Sequence, residues 1–179
     1  MKEAGAADRE RLHELLTQAE YDSARDSTVN AHYTSPEVIR AMWSIADRVG
    51  FTGGRVLEPA AGIGHFFGWM PAELAGRSRL IGVELDTVSG LILKKLYPDA
   101  DIRVQGFERS RIANNSIDLA VSNVPFGDYQ LAAEDHPGHS IHDYFFLRSL
   151  DKVRPGGLVI FVTSAFTMDK ADPRVRDLL

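Results

Sequence analysis

The feature that most constrains this chain is the alternation, from Arg55 onward, of short apolar segments with segments of helical spacing. Arg55-Val56-Leu57 reads as a strand that runs into a glycine-bearing turn and then a helix from Phe66 to Leu74. Leu80-Ile81-Gly82-Val83-Glu84 reads as a second strand, followed by a helix from about Thr87 to Tyr97. Asp101 to Gln105 forms a third strand and Ile117 to Ser122 a fourth. Ile141 to Val153 is helical, Pro155-Gly156-Gly157 is a turn, and Leu158 to Thr163 is a fifth strand. Strands this apolar must be buried on both faces, and helices between them supply the cover, so the pattern predicts a mostly parallel α/β sheet.

The first part of the chain is different. Ala7 to Arg25 carries leucines at helical spacing, Ser27 to Ser35 is polar and turn-like, and Ser35-Pro36-Glu37 opens a second helix. There Ser35 is placed to cap and Pro36 to occupy the first helical position, with Gly50 as the stop. We therefore divide the chain into a helical segment, 1–50, and a core, 51–179. Sheets of this kind often carry further strands, so the core is expected to be incomplete after its fifth strand.

Composition narrows the function classes. At 179 residues, with 44% apolar and 25% charged residues, the chain suits one soluble domain. No apolar run approaches the ~20 residues needed to span a bilayer, and a signal-peptide pattern is lacking. There is no cysteine, which removes disulfides, thiolate metal sites and cysteine nucleophiles. No metal site and no membrane partner are expected, and a cytoplasmic location fits.

Candidate site residues stand at the strand ends. Glu58-Pro59-Ala60-Ala61-Gly62-Ile63-Gly64 follows the first strand, where small residues let a ligand approach the main chain. The segment is neither G-x-G-x-x-G nor a phosphate loop, so it points to a nucleoside-like ligand without a pyrophosphate. Glu84 ends the second strand, the place of an acid that takes ribose hydroxyls. A tight turn with a surface carboxylate is the bland alternative. Phe107, past the third strand, reads either as core or as a face for an adenine.

Asn123-Val124-Pro125-Phe126 ends the fourth strand. A planar amino nitrogen is a poor nucleophile because its lone pair is delocalised into the ring. The Asn123 side-chain oxygen and a backbone carbonyl can accept both its N–H groups and stabilise the charge that grows during alkyl transfer. Pro125 restricts Val124 to extended conformations, so the Val124 carbonyl can be held in place. Phe126 offers a face for an extruded base. A helix cap and a proline turn, with Phe126 in the core, remain the alternative for these four residues alone.

Taken in order, these residues resemble the gamma-type adenine-N6 DNA methyltransferases. The resemblance implies a Rossmann-like, class I S-adenosylmethionine-dependent methyltransferase fold, with S-adenosylmethionine as cofactor and a flipped DNA adenine as acceptor. It assigns Tyr33-Thr34-Ser35 and Glu58 to the methionine part of the cofactor, and Ala60, Gly62 and Gly64 to the cofactor loop. Glu84 and Leu85 fall on the ribose and adenine contacts, and Phe107 on the aromatic beside the adenine. Asn123 to Phe126 match the catalytic motif, with Val124 in place of its first proline. Gly106 stands where the family commonly has an aspartate, a contact that Glu108 is placed to replace.

A closer similarity, through Asn30 to Pro36, Asn123 to Tyr129 and Ser140 to Phe146, is to the methylase segment of large helicase–methyltransferase proteins of phages and mobile elements. It implies a covalently linked helicase domain and suggests His142, Asp143 and Tyr144 for the base pocket. The net charge of −5 agrees with a DNA grip that lies largely elsewhere. Methylation of a protein glutamine or an RNA base, and a catalytically silent binding scaffold, are the competing readings.

Overall fold

The computed structural model describes residues 4–22, 34–127, 129–163 and 177, with side chains from residue 10 onward in those ranges. Five strands form one sheet: β1 (Gly54–Glu58), β2 (Ser78–Glu84), β3 (Asp101–Val104), β4 (Ile117–Asn123) and β5 (Val153–Val162). Their order is β3-β2-β1-β4-β5, and every neighbouring pair is parallel. The order reverses between β1 and β4, and such a switch point opens a crevice at the carboxyl ends of the strands.

Side-chain alternation along the strands builds two cores. Val56, Leu119 and Val121 face one side, where they meet Ile39, Met42, Trp43, Phe66 and Leu93. Leu57 and Ala120 face the other, against Phe107, Ile141, Tyr144 and Phe145. The first side is covered by α2 (Pro36–Arg48), α3 (His65–Gly68), α4 (Ala72–Ala75) and α5 (Thr87–Leu96), the second chiefly by α6 (Ile141–Lys152).

Helix α2 begins and ends as its sequence requires. The Val38 amide donates to the Ser35 hydroxyl at 3.4 Å, and Pro36 takes the first position. At its other end the Gly50 amide bonds the Asp47 carbonyl and the Phe51 amide the Ala46 carbonyl, both at 2.9 Å. That pair of bonds is the Schellman motif, and Gly50 serves it at φ 94°. Trp43, fully buried, donates its indole N–H to the Phe66 carbonyl at 3.0 Å and so ties α2 to α3.

Three expectations are corrected. The helix expected from Phe66 to Leu74 is two short turns, α3 and α4, because Pro71 cannot sit in a helix interior and instead precedes α4. The helix expected over Ala7 to Arg25 is α1 (Ala4–Leu15) followed by a turn over 18–22. The break comes at Thr17, where the Glu20 carboxylate accepts the Thr17 amide and the Thr17 hydroxyl accepts the Glu20 amide, a capping box that starts a new helix. Residues 23–25 lie outside the described residues. Strand β5 starts at Val153 rather than Leu158; Ile117 pairs with Val153 and Leu119 with Leu158, so the Pro155-Gly156-Gly157 turn loops out inside the ladder.

Candidate active site

The carboxyl ends of β1 to β4 border one open cleft of about 800 Å³. Glu58, the last residue of β1, is only 2% exposed. Burial, with the charge of Glu84 added, pushes its carboxyl well above the usual carboxylate range, against a partial opposing pull from the Phe66 amide. Its Oε2 has no hydrogen-bond partner among the described residues. An acidic oxygen buried in this way calls for a cationic or N–H-bearing partner from the cleft.

Glu84 closes β2 and organises the turn beside it. Its Oε2 accepts the Gly62 amide at 2.6 Å and its Oε1 the Asp86 amide at 2.8 Å. Burial raises its pKa, and these two amides oppose the rise. Each oxygen keeps a further lone pair for a ligand hydroxyl. The turn is also tied by the Ala61 amide to the Val83 carbonyl at 2.9 Å. Gly62 has φ 53°, a left-handed conformation that favours glycine.

The two glycines of the turn have different reasons to be there. A Cβ on Gly62 would meet nothing within 4 Å, whereas one on Gly64 would strike the ring of Tyr97 and Leu93. Tyr97 donates to the Gly64 carbonyl at 2.8 Å, so Gly64 serves the close approach of α5 and does not line the cleft.

The acceptor side lies across the switch point. Asn123 is the last residue of β4, and Asn123, Val124, Pro125 and Phe126 all border the cleft. The Val124 amide donates to the Val162 carbonyl at 3.2 Å, extending the β4–β5 ladder by one residue, and its side chain is 1% exposed. Val124 is thus anchored at both its amide and its side chain, which fixes where its own carbonyl sits.

Of the other expected residues, Thr34, Ala60, Leu85 and Phe107 border the same cleft. Leu85 stands on the rim, 75% exposed. Phe107 is buried, with its ring 5.2 Å from that of Phe145 and 5.2 Å from the Arg148 guanidinium, so it is a core residue that also forms cleft wall. Ser35 spends its hydroxyl on the cap of α2 and does not border the cleft. Tyr33 lies outside the described residues.

His142 and Asp143 are buried around the Ser140 hydroxyl, which lies 3.1 Å from His142 Nε2 and donates to Asp143 at 2.7 Å. Tyr144 is packed, with its hydroxyl donating to Asp135 at 3.0 Å. None of the three borders the cleft. Their neighbours Ile141 and Phe145 do, as do Tyr129 and Leu131 from the loop before α6. Ile141 and Phe145 are an i, i+4 apolar pair, a spacing that marks one helix face and was available in the sequence.

Comparisons with known proteins agree with this architecture. Among solved structures, the chain superposes on a Listeria monocytogenes protein assigned to the class I S-adenosylmethionine-dependent methyltransferases, with TM-score 0.69, 19% identity, and coverage of 84% of this chain and 52% of that one. It also superposes on a SAM-dependent O-methyltransferase of Thermotoga maritima, with TM-score 0.60, 11% identity, and coverage of 86% and 55%. The chain thus spans about half the length of each. In sequence it is 32% identical over 145 residues to the "Defense against restriction protein B" of Escherichia phage P1; the match takes in 75% of this chain and 6% of the phage protein. No family model matches. The fold is that of the Rossmann-like class I S-adenosylmethionine-dependent methyltransferases, with a parallel five-stranded sheet. Among the described residues no helix is long and apolar enough to cross a membrane, and no group of three or more His, Asp or Glu side chains is placed to hold a metal ion.

Proposed function

We propose that this chain binds S-adenosylmethionine and transfers its methyl group to the N6 amino group of adenine in DNA. The observation that carries the reading is that Asn123 to Phe126 share one cleft with the buried carboxylates of Glu58 and Glu84. The residues suit the cofactor. The buried, unpartnered Glu58 Oε2 matches a methionine ammonium, Glu84 keeps acceptor capacity for ribose hydroxyls, and Leu85 and Phe107 flank the position of an adenine. Bound there, S-adenosylmethionine supplies an electrophilic methyl group on a sulfonium sulfur.

The chain's own residues do the rest. The Asn123 side-chain oxygen and the Val124 carbonyl accept the two N–H bonds of the target amine. This favours a pyramidal nitrogen whose lone pair is available, and stabilises the positive charge that develops as the N–C bond forms and the S–C bond breaks. Phe126 offers a stacking face for a base taken out of the helix. The extra proton leaves the product nitrogen to water. Alignment of nitrogen and methyl is the main rate contribution of such a site.

DNA is favoured as the acceptor by the combination of Asn123 to Phe126 with Thr34-Ser35-Pro36 and Glu58-Pro59-Ala60, and by the phage relative, whose name places it in defence against restriction, a process directed at DNA. That relative is many times longer than the aligned segment, which supports this chain acting as the methylase part of a larger, helicase-linked protein. The test is to incubate the chain with labelled S-adenosylmethionine and, separately, unmethylated DNA, RNA and protein, then digest the products. N6-methyladenine from DNA is the expected product. Label confined to RNA or to glutamine would overturn the assignment of the acceptor, and binding of the cofactor with no transfer to any of the three would point to a scaffold.

A further inference from the structure

Gly106 and Glu108 form a pair that the reading above leaves unused. Gly106 follows β3 with φ −63° and ψ 146°, extended values open to any residue. No turn demands a glycine there. Space does: the three atoms nearest to a Cβ built on Gly106 all belong to the Glu108 carboxyl group, in contact too close for a side chain to share. The Glu108 side chain is therefore folded back over the bare Cα of Gly106. Both residues border the cleft, beside Gln105 and Phe107.

The turn that carries Glu108 is firmly held. The Arg109 amide bonds the Gly106 carbonyl at 3.0 Å, and the Ser110 hydroxyl donates to the Phe107 carbonyl at 2.7 Å. Arg148, itself paired with Asp135, donates to the Glu108 carbonyl at 3.0 Å. The carboxylate's own ion pair is with Arg109 at 3.3 Å, an arginine 80% exposed and so well solvated. Other acids of the cleft are committed: Glu84 holds two backbone amides and Asp86 accepts the Ser89 amide at 2.6 Å at the start of α5. An ionised carboxylate only accepts hydrogen bonds, so this part of the wall favours a ligand edge that presents N–H and opposes one that presents a lone pair.

We propose that Glu108 reads the exocyclic amino group of the cofactor purine, with its carboxylate seated in the space that Gly106 leaves open. The inference rests on the cofactor assignment above. It makes Glu108 a specificity-determining residue and Arg148 a positioning residue behind it.

Calorimetric titration of the full chain with S-adenosylhomocysteine and with S-inosylhomocysteine, its 6-oxo counterpart, tests this directly. The wild type is expected to prefer the amino form by about tenfold or more, the range of a hydrogen bond to a charged group. Glu108→Ala should reduce that preference to less than about threefold, and Glu108→Gln should retain part of it. Gly106→Asp alone places two carboxylates in one space and should weaken binding of both compounds. The double change Gly106→Asp with Glu108→Ala moves the carboxylate to the neighbouring position and should restore the preference. A preference that persists in Glu108→Ala would overturn the role of Glu108 and leave the cofactor assignment standing. A wild-type chain that binds neither compound would overturn both.

Discussion

The two halves of the cleft are held together by different means. On the cofactor side, the glycine turn is tied to β2 by hydrogen bonds from backbone amides to a carboxylate and a carbonyl, Gly62 to Glu84 and Ala61 to Val83. On the acceptor side, Val124 hangs on one ladder bond, and the loop that brings in Tyr129 and Leu131 is pinned by side chains: Asp135 to Arg148 and Tyr144, and His136 to Asp151 at 2.7 Å. Backbone ties at strand ends position a ligand rigidly and tolerate little change. Side-chain ties along a loop allow adjustment to a bulky acceptor and can be loosened one at a time. The difference fits a site in which one ligand is always the same and the other arrives within a polymer.

If the halves are separable, the largest effect comes from Asn123. Asn123→Ala should lower methyl transfer at least about a hundredfold, the scale of losing one preorganised polar group at the developing charge. Cofactor affinity should stay within about twofold, because Asn123 lies on the acceptor side. Single-turnover rates with calorimetry check this, and a comparable loss of cofactor binding would break the division into halves.

Glu58 gives the next largest effect and confines it to the other side. Burial and the charge of Glu84 hold its carboxyl well above the usual range, so in the ligand-free protein it keeps its proton at pH values where an exposed glutamate has lost it. A cationic amine favours the ionised form. Cofactor binding should therefore release a proton, and affinity should rise with pH until the medium passes the raised pKa. The stability of the empty protein has the opposite slope. A carboxyl whose folded pKa is raised contributes fully below its unfolded value, near 4.5, and that contribution is lost as pH climbs through the folded value. Glu58→Gln should flatten both dependences and weaken cofactor binding about tenfold, ~1.4 kcal/mol. Titrations in buffers of different ionisation enthalpy measure the proton directly; no proton release in the wild type would sink the pairing of Glu58 with an amine.

Asp135 probes the looser half. It joins Arg148 and Tyr144, both on α6, and its removal leaves two largely buried polar groups short of a partner. Asp135→Ala should cost about 1–2 kcal/mol of stability. It should raise KM for the acceptor more than it changes kcat, with cofactor affinity nearly untouched. Equal effects on both ligands would show that the loop serves the whole cleft.

The alternation of strands and helices carried most of the fold in the sequence, because doubly covered parallel strands have few other solutions. The site was legible wherever chemistry and strand ends coincide, at Glu58, Glu84 and Asn123. It was less legible where one residue type serves two purposes. Gly64 reads as a ligand glycine, yet its open face receives Tyr97 from a helix more than thirty residues on, a contact that only packing reveals. Phe107 is both wall and core for the same reason. Pro71 announces the break between α3 and α4 in the sequence, but the apolar run around it masks the signal. The fold-back of Glu108 onto Gly106 depends on a rotamer, and no spacing rule encodes it.

The smallest effect expected is at the opposite end of the sheet, and it serves as the control for the rest. Asp118 accepts the Arg55 amide at 2.7 Å and pairs with Arg154. Burial pushes its carboxyl up, but the Arg55 amide and Arg154 outweigh burial and leave it below its usual value of 3.8. A depressed folded pKa adds stability above the unfolded value, which is lost as pH falls below about 3.8 through the folded one. The pair is partly exposed, so Asp118→Asn should cost less than about 1 kcal/mol near neutral pH. Acid unfolding should then begin less steeply, since one fewer carboxylate resists protonation. Neither cofactor affinity nor methyl transfer should move, because Asp118 lies near the amino end of β4 while both halves of the cleft lie at the carboxyl ends. A change in either would mean that the cleft responds to the global stability of the sheet, and the separate behaviour of its two halves would then have to be re-read as two local thresholds within one cooperative unit.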